Sequence, residues 1–164
     1  MPRYRPPRPR ASPYITLQGH QRLQQEQKAL WERRAGVTRA LAAAAAEGDR
    51  SENAEYIYRK KELREIDRRI RYLQLRLPEL KIVDTTPGDP DRIYFGARVT
   101  LEDETGRQVR YRIVGPDEAD AGPDCISMDS PMARALHKKR LDDEVSVKTP
   151  GGEARYCILA VDYD

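Results

Sequence analysis

A chain of 164 residues, 35% charged and 38% hydrophobic, suits one or two small, well-solvated domains and not one large core. No apolar run approaches the ~18 residues of a membrane span, and arginines and prolines fill the start where a signal peptide needs its apolar stretch, so a cytoplasmic protein without a membrane partner is expected. The net charge of +3 conceals polarity: residues 1–83 carry 19 Lys and Arg against 10 Asp and Glu, net +9, and residues 84–164 carry 11 against 17, net −6. Such a distribution suits orientation in the field of a larger partner, with nucleic acid near the basic half.

Residues 1–13, MPRYRPPRPRASP, contain five prolines and four arginines and too little apolar surface to offset ordering entropy. A disordered tail is expected, either functionless or touching RNA or acidic protein weakly. Thr16 is placed to cap a first helix running to Ala46, in which Leu23, Leu30, Val37 and Ala44 recur every seven residues, with Leu17, Trp31 and Leu41 thickening the stripe. Over residues 40–46 only Leu41 is large, which makes a slim far end. A second unbroken pattern runs from Glu52 to Leu77, and Leu63, Ile66, Ile70, Leu73, Leu77 and Leu80 form its seam. Two long helices with so short a connection fold back as an antiparallel hairpin, and about thirty residues at ~1.5 Å each carry the connection some 45 Å from the base.

That connection, EGDRSENAEY over residues 47–56, concentrates four carboxylates. Asp49 and Glu52, three apart, fit a capping box opening the second helix. The same spacing also allows two carboxylates on one turn to hold a hard cation or its water jointly; alone they would bind magnesium weakly, so such a site is half a site whose remainder comes from a partner. Behind it lie Arg59, Lys60, Lys61, Arg64, Arg68, Arg69, Arg71 and Arg76, more charge than Glu62, Glu65 and Asp67 neutralise, with Tyr56 and Tyr58 beside them. This is either a solvated face or a track for single-stranded nucleic acid.

Pro78 is expected to end or kink the second helix, and residues 84–91, DTTPGDPD, read as a linker. From Ile93 the period becomes two. IYFGARVTL, QVRYRIV, CISM, EVSVK and RYCILAVDY read as strands, and PMARALHKK as a short helix with Pro131 in its first turn after Asp129 or Ser130 as cap. This half is a small, mostly antiparallel α+β domain. Cys125 and Cys157 stand alone, without metal-ligand spacing, and His20 and His137 are isolated, so no complete enzyme site is visible.

Several of these stretches together, GDRSENAEY, YRKKELREIDRRIRYL, KIVD, FGARV, RYRIVG and ISMDSPMARALHKK, closely resemble the bacterial Gre transcript-cleavage factors, and the basic run looks like the GreB branch. The resemblance covers residues 15–164. It implies an antiparallel coiled-coil hairpin over residues 14–83, a linker over 84–91 and an FKBP-like docking domain over 92–164. It implies a transcription elongation factor, not an enzyme itself, that binds RNA polymerase, enters its secondary channel and stimulates its cleavage of backtracked RNA. Asp49 and Glu52 match the acidic pair completing a second magnesium site; Asn53, Glu55 and Tyr56 match the surrounding tip. Lys60 and Lys61, with Arg59 and Arg64, match the patch meeting the RNA 3′ end, and Asp129, Ser130 and Pro131 match the polymerase-docking motif. The factor would be a monomer with no cofactor of its own, sharing magnesium with the polymerase and meeting DNA only within the elongation complex. The alternative is a channel-binding inhibitor without cleavage activity. The N-terminal extension has no counterpart in the family core, and His137 stands where an aliphatic residue is more usual.

Overall fold

The computed structural model describes residues 8–47 and 53–163. The chain divides into two compact units, one formed by Gln18–Leu80 and the other by Met1–Leu17 together with Lys81–Asp164.

The first unit is the helical hairpin. Helix α1 spans Leu17–Ala46 and helix α2 spans Ala54–Arg76. Val37, Ile66 and Ile70 are buried together, with Leu30 and Leu63 packed against them, and Leu23, Ala44 and Leu73 are buried along the same seam positions. Across the hairpin Arg69 grips both carboxylate oxygens of Glu26 at 2.7 and 3.1 Å, Arg34 pairs with Asp67 at 2.6 Å and Arg33 with Glu62 at 3.1 Å. Exposed pairs of this kind contribute ~0.2–1 kcal/mol each, whereas burying an isoleucine contributes ~1.5–3. The seam therefore holds the helices together and sets their antiparallel register, to which the ion pairs add little. Leu17 and Trp31 do not belong to the stripe: both are exposed, Trp31 at 46%, with the Arg34 guanidinium 5.8 Å from the Trp31 ring centre. Helix α2 stops at Arg76, and Leu77–Glu79 tightens into a single 3-10 turn around Pro78, whose ring cannot sit in a continuing helix.

The second unit is a five-stranded sheet. Strands β3 (Arg98–Asp103), β4 (Gln108–Val114), β5 (Cys125–Ser127), β6 (Glu144–Thr149) and β7 (Gly152–Asp162) lie in the order β5-β4-β3-β7-β6, antiparallel except for the β4–β5 pair. Val99, Leu101, Ile113, Val145 and Ile158 face a core completed by Ala133 and Leu136 of α3 (Pro131–Leu136). The alternation that suggested a strand from Ile93 begins only at Arg98, because Gly96 takes φ +87° and turns the chain there. Ile93 instead exchanges backbone hydrogen bonds with Lys138 and Lys139. A register shift between Thr100 and Leu101 leaves Leu159 unpaired in β7, a bulge absent from the sequence pattern. In the β3–β4 turn Thr105 donates its hydroxyl to Asp103, which lowers that carboxyl below its ordinary pKa.

Two further segments make contacts within this sheet unit. In residues 84–91 Asp89 accepts from Arg140 at 3.0 Å. The extension is anchored where it meets β1 (Tyr14–Ile15), which pairs in parallel with β2 (Lys81–Ile82). Buried Glu118 fastens β1: its carboxylate accepts from the Thr16 amide and hydroxyl and from the Gly115 amide. The backbone of Gly115 approaches Tyr14 so closely that an added Cβ would lie 2.0 Å from the Tyr14 carbonyl oxygen. Gly115→Ala is therefore expected to lower unfolding free energy by about 3 kcal/mol, whereas Gly36→Ala, inside α1 with open space around it, raises it by about 0.5–1. Urea denaturation of the two variants checks the opposite signs.

Candidate functional site

Among the described residues, the Asn53 side chain links the facing ends of the two helices. Asn53 is the N-cap of α2: its Oδ1 accepts from the Tyr56 amide at 3.1 Å, while its Nδ2 donates to the Ala44 carbonyl at 2.8 Å. One amide thus satisfies an orphan donor of α2 and a terminal carbonyl of α1, and holds the two helix ends together. The capping pair expected at Asp49 and Glu52 is replaced by this residue, because α2 opens at Ala54. Asp49 and Glu52 themselves lie outside the described residues. Among the described residues no cluster of His, Cys, Asp or Glu able to hold a metal ion is found.

Glu55 and Arg59 form an i,i+4 pair at 3.0 Å, and Arg59 also reaches Glu62 at 3.2 Å. The hydrogen bond to Glu55 chiefly holds the Arg59 guanidinium above its ordinary pKa. Arg59 is thus committed to two carboxylates and is the least available of the predicted cations. Glu62 and Asp67 in turn pair with Arg33 and Arg34 of α1, leaving less negative charge to neutralise α2 than the sequence count suggests. Arg69 pairs with Glu26 and Arg76 with Glu79. What remains is a line of exposed cations, Lys61, Arg64, Arg68 and Arg71, spaced three and four apart and so on one helix face. Beside it Lys60 sits 5.9 Å from the Tyr56 ring centre, and Tyr58 is 59% exposed under Arg59. The line spans about 15 Å, a helical rise of ~1.5 Å over each of ten residues.

On the sheet unit, Ser130 is the N-cap of α3, accepting from the Ala133 amide at 3.2 Å, and Pro131 occupies the first turn. The Asp129 carboxylate accepts both the amide and the hydroxyl of Ser12, the amide at 2.9 Å. All three residues of the motif have structural work within the chain. An apolar cavity of about 210 Å³, lined by Tyr94, Phe95, Met128, Ala133 and His137 among others, lies beside α3. It is smaller than the ~300–1,000 Å³ of small-molecule sites and fits one or two side chains of a partner. Sequence reading missed both the cavity and the Ser12 anchor, since neither leaves a periodic signal.

Comparison with known proteins fits this two-part layout. Residues 13–82 match the profile described as transcription elongation factor, N-terminal, and residues 88–163 the one described as transcription elongation factor, GreA/GreB, C-term. The chain is 58% identical to transcription elongation factor GreB of Xanthomonas axonopodis pv. citri over 99% of its own length and 98% of the relative's. This chain belongs to the GreA/GreB family. The GreB of Pseudomonas aeruginosa is likewise 58% identical over 99% of this chain and 98% of its own, and that of Yersinia pestis 56% over 93% and 90%. A match covering 99% of 164 residues runs through the N-terminal extension, so the extension has counterparts among GreB proteins.

Because Asn53 serves two helices at once, Asn53→Ala is expected to cost about 1–2 kcal/mol and to speed amide exchange in the first turn of α2. Asn53→Asp keeps the cap acceptor but loses the donor to Ala44, and its cost is expected to fall between alanine and wild type. Thermal unfolding with hydrogen exchange distinguishes the three proteins.

Proposed function

We propose that this chain binds RNA polymerase, inserts the hairpin turn into its secondary channel and stimulates the polymerase's cleavage of backtracked RNA. The observation that carries the reading is the hairpin itself. A seam of buried apolar residues and the Asn53 bridge hold the facing ends of α1 and α2 together, and this is the kind of support that a probe carrying Asp49 and Glu52 would need. Family membership and the sequence of that connection support the rest.

Two carboxylates are oxygen donors of the kind magnesium prefers, and they are too few to hold it without further oxygens. The polymerase and the RNA phosphodiester would provide those. A magnesium held jointly would supply charge stabilisation to the attacking and leaving oxygens. Asp49 and Glu52 would offer their carboxylates to that shared site and orient its attacking water; the chain is not an enzyme by itself. Lys60, Lys61 and Arg64 would hold the RNA 3′ end by its phosphates, with Arg68 and Arg71 continuing the line and Arg59 contributing less, because Glu55 and Glu62 already engage it. Asp129, Ser130 and Pro131 would shape the docking corner, Ser130 by starting α3, with the neighbouring cavity receiving apolar side chains of the polymerase.

Asp49→Asn and Glu52→Gln are expected to abolish stimulated cleavage in stalled elongation complexes while leaving polymerase binding intact; full cleavage by both defeats the mechanism. A factor that slows synthesis and releases no 3′ fragment would be the channel-binding inhibitor instead. Replacing Lys60, Lys61 and Arg64 together by alanine should raise the factor concentration needed for half-maximal cleavage about tenfold, against about threefold or less for Arg59→Ala. Titrated cleavage assays at fixed salt measure both.

A further inference from the structure

The residues before β1 carry a charge pattern that the reading above does not use. Residues 1–10 contain four arginines, four prolines and no acid. The last part of this segment is held at one place. Ser12 gives its amide and hydroxyl to Asp129, the Pro13 carbonyl accepts from the Lys81 amide at 2.7 Å, and the Tyr14 ring lies 6.4 Å from that of Phe95. The chain therefore leaves the sheet unit at the Asp129–Ser130–Pro131 corner and beside the residues of the apolar cavity. Arg8 and Arg10 are exposed, and among the described residues neither has an ion pair, although residues 84–164 of the same unit are net −6. Two cations tethered to an acidic unit and not compensated by it are free to pair outward.

We infer that residues 8–11, which carry Arg8 and Arg10, form a cationic arm that pairs with an acidic protein surface of the polymerase bordering the docking site. The inference rests on the polymerase-binding reading and adds a second contact to it. Arg10 stands two residues from the anchored Ser12, at most about 7 Å of chain, and Arg8 four residues, at most about 14 Å. With their side chains they sample carboxylates around the docking corner and no farther. Contacts of this rim type are screened over a Debye length of about 8–10 Å, so they steer association and weaken with salt more than they add buried affinity. Protein is favoured over nucleic acid because the anchor is Asp129, at the corner proposed above to dock on the polymerase, whereas the cation line proposed for RNA lies on α2.

The test is binding of the full-length protein to core RNA polymerase as a function of salt, comparing wild type with Arg8→Ala/Arg10→Ala and with Arg8→Glu/Arg10→Glu. The alanine pair is expected to bind about threefold to tenfold more weakly at low salt and to show a shallower salt dependence, the glutamate pair to bind more weakly still, and all three to converge at high salt. Wild-type binding with both variants unchanged overturns the arm and leaves the polymerase reading standing. Absence of wild-type binding overturns both. Loss of affinity for free RNA, with polymerase binding unaltered, also overturns the arm and assigns the segment to nucleic acid.

Discussion

The seam between α1 and α2 is the constraint on which the rest depends. Leu30 and Val37 meet Leu63, Ile66 and Ile70 in a strip of side chains too narrow to form a domain core. It is long enough to keep two helices in step. Everything at the turn inherits that register: the Ala44 carbonyl falls within reach of Asn53 because the seam sets the helices opposite one another, and Glu26, Glu62 and Asp67 meet arginines of the partner helix for the same reason. Those pairs also decide which cations stay available. A helix rich in arginine resolves into residues that hold the hairpin and residues that face outward, and only the second kind forms the exposed line.

The sheet unit is organised by polar contacts at its edge as much as by its core. Glu118 is 3% exposed, and its cost of burial is offset by donors from Thr16 and Gly115. Three hydrogen bonds to one carboxylate determine where the chain stands immediately before α1 begins. Asp129 does the same for Ser12, four residues earlier. The segment entering the hairpin is thus held by two acids from a part of the sequence more than a hundred residues away.

The hairpin was legible because helical periodicity is local: the seam residues of both helices, the stop at Pro78 and the Ser130 cap all follow from near neighbours in sequence. Strands β4 and β6 and the helix after Ser130 were legible for the same reason. What stayed hidden was set by distance or by competition. Nothing near Ser12 signals Asp129, and nothing in KIVD signals a partner at Tyr14. At the turn, Asp49 with Glu52 matched a capping box as well as any sequence can, yet Asn53 took that place because its amide also satisfies α1. Trp31 fitted a widened stripe on paper, but the seam is too narrow to include it.

The sheet unit is discontinuous in the chain, its first strand separated from its second by the whole hairpin. During synthesis α1 and α2 emerge and pair through contacts of modest separation, such as that of Glu26 with Arg69, 43 residues apart. Thr16, by contrast, awaits a partner 102 residues downstream in Glu118, and Ser12 one 117 residues downstream in Asp129. Pairings of such long separation form late and slowly. Ser12 is therefore made before the hairpin and secured after it, once the ribosome has passed Asp129.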